Sequence, residues 1–84
     1  MIKVIGERLK QYDKNRKVSI NPPKGVDIKK LTFEKNGLEY DGTIDSDGTA
    51  LIHDALLISH GVLTVRCECV CDNGYKRVER EAFH

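Results

Sequence analysis

VLTVRCECVC, residues 62–71, sets the fold of this chain. From Leu63 onward every odd position is apolar: Leu63, Val65, Cys67, Cys69 and Cys71. Between them stand Thr64, Arg66, Glu68 and, as the one apolar exception, Val70. Side chains on a strand point alternately to its two faces, so period-two spacing predicts a strand over 62–70 with the odd row turned to a core. The three cysteines then continue a row begun by leucine and valine. A free cysteine packs as a small hydrophobe and is among the most buried residue types, so the row reads as core.

Strand geometry opposes the reactive readings of the same thiols. Neighbours at i and i+2 lie about 6.5–7 Å apart with parallel Cβ vectors, and those at i and i+4 about 13 Å. A disulfide needs converging vectors with Cα atoms inside about 7 Å, and a tetrahedral zinc site needs ligands that converge, usually from turns. His53 or His60 with one or two of the thiols is the remaining route to a metal or redox site, and that small metal-binding or redox protein stays as an alternative. An odd number of cysteines fits a reducing compartment better than a secreted disulfide framework.

Outward from this strand, turn signals arrive every eight to twelve residues with short strand-like runs between them, the signature of an all-β sandwich or barrel. IKVI (2–5) reads as a first strand. A turn at Asp13–Asn15 leads into a strand with Val18 and Ile20 on one face. The two prolines of NPPKG (21–25) place it in a loop. VDIKKLTF (26–33) is strand-like, but its apolar phase slips between Ile28 and Leu31, which predicts a bulge. Asn36-Gly37 is a hairpin turn. LEYDGTI (38–44) then places Leu38, Tyr40 and Ile44 on one face. DSDG (45–48) turns the chain, and TALIH (49–53) returns with Ala50 and Ile52 inward. DALLISHG (54–61) breaks the alternation: Asp54 reads as the N-cap of a short helical turn over 55–59, with Gly61 as its stop. After the turn at Asp72–Gly74, GYKRVEREAF (74–83) reads as a charged edge strand.

With 84 residues the chain forms one domain, 1–84, around one core. A domain of this size buries only about 60–65% of the surface its unfolded chain exposes, so most apolar residues are needed inside. Net charge is +1, which gives no bulk argument for nucleic acid or membrane. Locally, residues 1–17 carry six Lys/Arg against two acids, and residues 34–54 carry six acids against Lys35, a polarity able to orient the domain on a partner. The longest apolar run, Ala55–Ile58, is far too short to span a bilayer, and no signal-peptide core follows Met1.

Other motifs resolve to structure. Thr43–Asp54 places Asp45, Asp47, Gly48 and Asp54 at positions of a calcium loop, yet it opens on Thr, closes on Asp and lacks flanking helices, so a hairpin turn explains it better. The basic stretch from Lys3 to Lys17 has only Tyr12 as an interleaved aromatic and reads as solvated surface. Tyr40 is expected in the core, with Tyr12 and Tyr75 beside turns. No nucleophile–base order, phosphate loop or close carboxylate pair is recognisable. The expectation is a non-enzymatic protein with no catalytic residue, no metal ligand and no cofactor.

VIGERLKQYDKNRKVSI (4–20) resembles the opening of the N-terminal immunoglobulin-like domain of structural proteins from tailed bacteriophages of Gram-positive bacteria, found in head fibre, baseplate or tail. The shared feature is a Gln-aromatic-Asp-x-Gly/Asn-Arg turn, here Gln11-Tyr12-Asp13-Lys14-Asn15-Arg16. DGTALIHDALLISHGVLTVRC (47–67) is similar to that family's Asp-Gly hairpin, helical turn and Gly-x-Leu-Thr-Val strand. His53-Asp54 stands where the family often has Pro-Asn. The cysteine row departs from the Val, Tyr or Ala those proteins favour.

The resemblance implies an immunoglobulin-like β-sandwich of about seven short antiparallel strands with one helical turn near 54–59. It also implies an N-terminal anchoring module or a piece of a longer chain. The implied protein is made in the bacterial cytoplasm and located in the virion. It would dock onto another virion protein, with homo-oligomerisation compatible and neither nucleic acid nor membrane as partner. The contact residues expected are exposed ones of the 9–16 segment, Tyr12 and Arg16, or else the edge strand at 75–83 with Tyr75, whose unpaired backbone groups offer a ready docking surface. A carbohydrate-binding module acting at the host surface is the other alternative, because sandwiches often carry such sites.

Overall fold

A computed structural model describes residues 1–84. Seven strands run β1 (Ile2–Val4), β2 (Lys17–Ile20), β3 (Val26–Lys35), β4 (Leu38–Gly42), β5 (Thr49–Leu51), β6 (Leu63–Cys71) and β7 (Lys76–Phe83), with one 3₁₀ turn at Asp54–Leu57. They form two antiparallel sheets, ordered β1-β2-β5 and β4-β3-β6-β7. The chain is an all-β, immunoglobulin-like sandwich, as the sequence predicts.

β6 is the centre of the larger sheet. Its odd row, Leu63, Val65, Cys67 and Cys69, is buried, and only Cys71 at its end is half-exposed. β3 lies beside it with Leu31 opposite Cys67 and Phe33 opposite Val65. The register shift falls between Ile28 and Lys30. It moves the inward phase from Val26 and Ile28 to Leu31 and Phe33, so one extra residue reconciles the two halves of the strand. From the smaller sheet Val18, Ile20 and Ala50 meet this row, and Ile52, Leu56 and Leu57 join the same core.

The turns follow their local chemistry. Asn36 and Gly37 both have positive φ, 52° and 83°, which fits the two-residue loop joining Lys35 to its partner Leu38. The β6–β7 turn closes with Gly74 N–H donating to Cys71 O at 2.8 Å.

Three sequence expectations change. TALIH does not return beside LEYDGTI: Ile44 bridges Ala50, but β4 belongs to the larger sheet and β5 pairs with β2 in the smaller one. The chain therefore changes sheets just after Gly42. His53, not Asp54, caps the 3₁₀ turn, its Nδ1 accepting from Ala55 N–H at 3.3 Å. Leu38, expected inward, is 51% exposed, because β4 is an edge that the three-stranded sheet does not cover.

Gly42 marks the sheet change for a steric reason. A Cβ placed there would lie 2.6 Å from Phe33 Cε2 and 2.8 Å from Leu31 Cδ2. Gly42→Ala is expected to destabilise the domain by about 1–3 kcal/mol through overpacking of these two core side chains. Equilibrium urea unfolding measures it, and an unchanged midpoint would refute the crowding argument.

Candidate docking site

The family-like turn 11–16 folds as one hydrogen-bonded unit. Gln11 Nε2 donates to Ile58 O at 2.7 Å, and Tyr12 N–H donates to Leu57 O at 2.7 Å. Asn15 N–H donates to the Asp54 carboxylate at 3.1 Å. These bonds fasten the long β1–β2 connection to the 3₁₀ turn and the loop after it. The Asp13 carboxylate accepts from Lys10 N–H at 2.9 Å and from Arg16 at 2.5 Å. The Lys10 N–H and the Arg16 guanidinium hold its pKa below the usual carboxylate value.

Arg16, expected as an exposed contact residue, is an internal brace. Its side chain is largely shielded, pairs with Asp13, and donates to the main-chain oxygens of Ile5 and Glu7. A guanidinium presents several donors in a rigid fork, which suits one side chain to tying two stretches of backbone together. Tyr12 is the opposite case. Its backbone sits at φ 69°, an uncommon conformation for a large side chain, and the residue is 69% exposed. Beside it Ile58 is 57% exposed.

Tyr75 is 73% exposed but lies at the other end of the molecule. It follows the turn after Cys71, whereas Tyr12 is held against the loop that leads into Leu63. β6 separates those ends by about 26 Å at ~3.3 Å per residue. Tyr12 and Tyr75 therefore belong to two separate surfaces.

Next to the Tyr12 turn opens a cleft of about 440 Å³. Its apolar lining comes from Leu9, Leu57, Leu63 and Phe83. Arg8, Lys10 and Lys35 line it too, and no lining residue has a carboxylate side chain. Lys35 was not singled out by sequence. The signal was present in β3, where the inward sequence Leu31, Phe33 continues two residues on to Lys35. Its aliphatic stem extends the core row, its Nζ donates to Ser59 O at 2.6 Å, and only 6% of the residue is exposed. Asn36 fastens the same wall, its Nδ2 donating to Ser59 Oγ at 3.1 Å and His60 O at 2.9 Å.

The cysteines are free, and Cys67 and Cys69 face the core. Burial, with smaller contributions from Cys69 and Glu79, pushes the Cys67 thiol up to about 11. Burial and then Glu79 also raise Cys69. No cluster of three or more His, Cys, Asp or Glu side chains is placed to hold a metal ion. The Asp45–Gly48 segment forms a turn, closed by Gly48 N–H to Asp45 O and by the Asp47 carboxylate accepting from Thr49. Tyr40 is half-buried, its ring stacked on His53 at 4.1 Å between centroids.

Comparison of the chain with protein-family models, curated proteins and solved structures finds no match.

Three outcomes are expected. Arg16→Ala should free the segment between Ile5 and Lys10, seen as several-fold faster trypsin cleavage after Arg8 or Lys10 with the β-sheet circular dichroism retained; unchanged cleavage would remove the brace. For the thiols, a disulfide reagent on native protein should label Cys71 first and leave Cys67 protected until unfolding. The raised Cys67 pKa gives stability that is whole below about pH 9 and lost as pH climbs through about 11. Cys67→Ala should flatten that alkaline loss in urea titrations at stepped pH, and an equally steep loss would assign it elsewhere.

Proposed function

We propose that the chain is a non-enzymatic structural module of a tailed-bacteriophage virion, from a head fibre, baseplate or tail. It docks onto another virion protein by surface complementarity, at the end of the sandwich that carries Tyr12 and Ile58. The virion setting rests on the resemblance of residues 4–20 and 47–67 to that family's N-terminal domain.

The observation that carries the docking reading is the Tyr12 turn. Main-chain and side-chain bonds from Gln11, Tyr12, Asp13, Asn15 and Arg16 hold the backbone in place, and the aromatic ring is left in solvent beside Ile58. A left-handed backbone at a bulky residue costs about 1–2 kcal/mol. A domain with a thin stability margin keeps such a conformation where the surrounding bonds over-determine it, a pattern that gathers at binding sites. A fixed, exposed aromatic also gives contact area at low entropic cost, and tyrosine is enriched at interface centres.

Disrupted virions passed over the immobilised chain, with bound proteins identified by mass spectrometry, test this reading. A virion protein should be captured, and Tyr12→Ala or Ile58→Ser should lower its capture about tenfold, as loss of an interface anchor implies. Tyr75→Ala, at the far end, should not. Equal capture by wild type and Tyr12→Ala, or dependence on Tyr75 alone, would overturn the placement. Absence of any captured virion protein would overturn the function.

A further inference from the structure

We propose that the cleft between the 8–11 segment, the 57–61 loop and Lys35 binds a segment of a partner protein in which a carboxylate side chain neighbours a large apolar one. The inference deepens the docking reading above and rests on it, because it names the chemistry of the bound segment at the same end of the molecule.

Three features point to that occupant. The first is charge. Arg8, Lys10 and Lys35 line the cleft without a carboxylate side chain among its walls. Lys10 is partly offset by Glu7 at 3.7 Å, an exposed pair that solvent screens. Arg8 gives its Nε at 3.2 Å to an oxygen of His84, whose terminal carboxyl in the 84-residue chain meets part of its charge, and has no partner for its Nη groups. Lys35 is the decisive member. Its ammonium has three donors, one of which meets Ser59 O, and no carboxylate lies within 4 Å of it. A cation this shielded gains most from a carboxylate brought by a ligand, because the pair forms away from bulk water.

The second feature is the floor. Leu9, Leu57, Leu63 and Phe83 offer apolar contact directly beside those cations. A pocket of about 440 Å³ falls within the ~300–1,000 Å³ typical of binding clefts, and mixed apolar lining with a few placed polar groups is their usual make-up. Two or three cations around an aliphatic floor suit an acidic peptide better than a nucleic-acid strand, which needs a groove of phosphate contacts and aromatic stacking platforms. The third feature is a fixed wall. Asn36 and Lys35 tie the 59–60 backbone to the β3–β4 hairpin. A Cβ at Gly61 would lie 2.7 Å from the Asn36 Oδ1 atom, so the loop runs close against that hairpin. A wall held this way loses little freedom on binding.

A random-peptide display selection on the purified 84-residue chain tests the proposal without any virion. Enriched peptides should pair Asp or Glu with a neighbouring Leu, Ile, Phe or Met. Their affinity for Lys35→Met and for Arg8→Gln should fall about tenfold, as loss of a charge-assisted hydrogen bond implies. Lys35→Met keeps the apolar stem in the core row, and Arg8→Gln alters an exposed residue, so a folding defect in one leaves the other informative. Lys76→Gln, on β7 at the opposite end, should bind as wild type. Failure to enrich any peptide, enrichment of basic or uncharged sequences, or affinity indifferent to both cleft variants would overturn the proposal. Acidic-apolar peptides that need Lys35 and Arg8, together with no capture of a virion protein, would uphold the cleft chemistry and sink only the virion setting.

Discussion

The inner row of β6 must be kept dry, and most of the architecture follows from that constraint. Leu63, Val65, Cys67 and Cys69 lie on the central seam of the larger sheet with β3 on one side and β7 on the other. Cys67 and Cys69 fill this row with small side chains, while Phe33 from β3 supplies bulk across from Val65. The same dryness works against thiolate formation at Cys67 and Cys69. A thiolate is the reactive form, and burial disfavours it at Cys67 and Cys69 alike. The bulge in β3 is a consequence: without an extra residue near Lys29, either the Val26–Ile28 half or the Leu31–Phe33 half would turn away from the row.

Three strands cannot cover four, and the charge pattern records where the interior ends. The β7 residues that share a face with the β6 row are Arg77, Glu79, Glu81 and Phe83. Arg77 pairs with Glu79 along the strand, and Arg77 and Glu81 are exposed. Only Phe83, at the cleft end, packs against the core. β7 therefore serves as a polar margin for three-quarters of its inner row, which protects an eight-residue edge from indiscriminate strand pairing. The docking surface proposed above lies at an end of the sandwich, where loops from both sheets meet, rather than along this edge.

The elements were legible in the sequence where their cause is local. The alternation of 63–71, the Asn36-Gly37 turn, the loop at Pro22-Pro23 and the phase slip after Ile28 each depend on a few adjacent residues. What stayed hidden depends on partners distant in sequence. The Asp45–Gly48 turn reads as the centre of a hairpin because its own bonds are hairpin-like. That the flanking strands part into different sheets shows only in the pairing of β4 with β3 and of β5 with β2, residues far apart in sequence. Asp54 has the composition of a cap, but its carboxylate goes to Asn15, leaving the cap to His53. Arg16 looks like a surface cation until the main-chain oxygens of Ile5 and Glu7 are seen around it. At the end of the sandwich with the Tyr12 turn, Tyr12 was legible as an aromatic beside a turn, whereas Lys35 was passed over because lysine is ordinarily a surface residue.

Lys35 also explains why the cationic cleft and the core are one problem. A small sandwich must close its ends with whatever the strands supply, and β3 supplies lysine where its inward row runs out. The methylene stem does the packing of an aliphatic residue, and the ammonium, part-buried, gives one of its donors to Ser59 O. An apolar residue there would close the end equally well and leave it electrically neutral. A lysine instead places an ammonium beside Leu57, Leu63 and Phe83, so the surface that seals the core is also the one proposed above to bind an anion. On that proposal stability and recognition draw on one side chain, divided between its apolar stem and its charged tip.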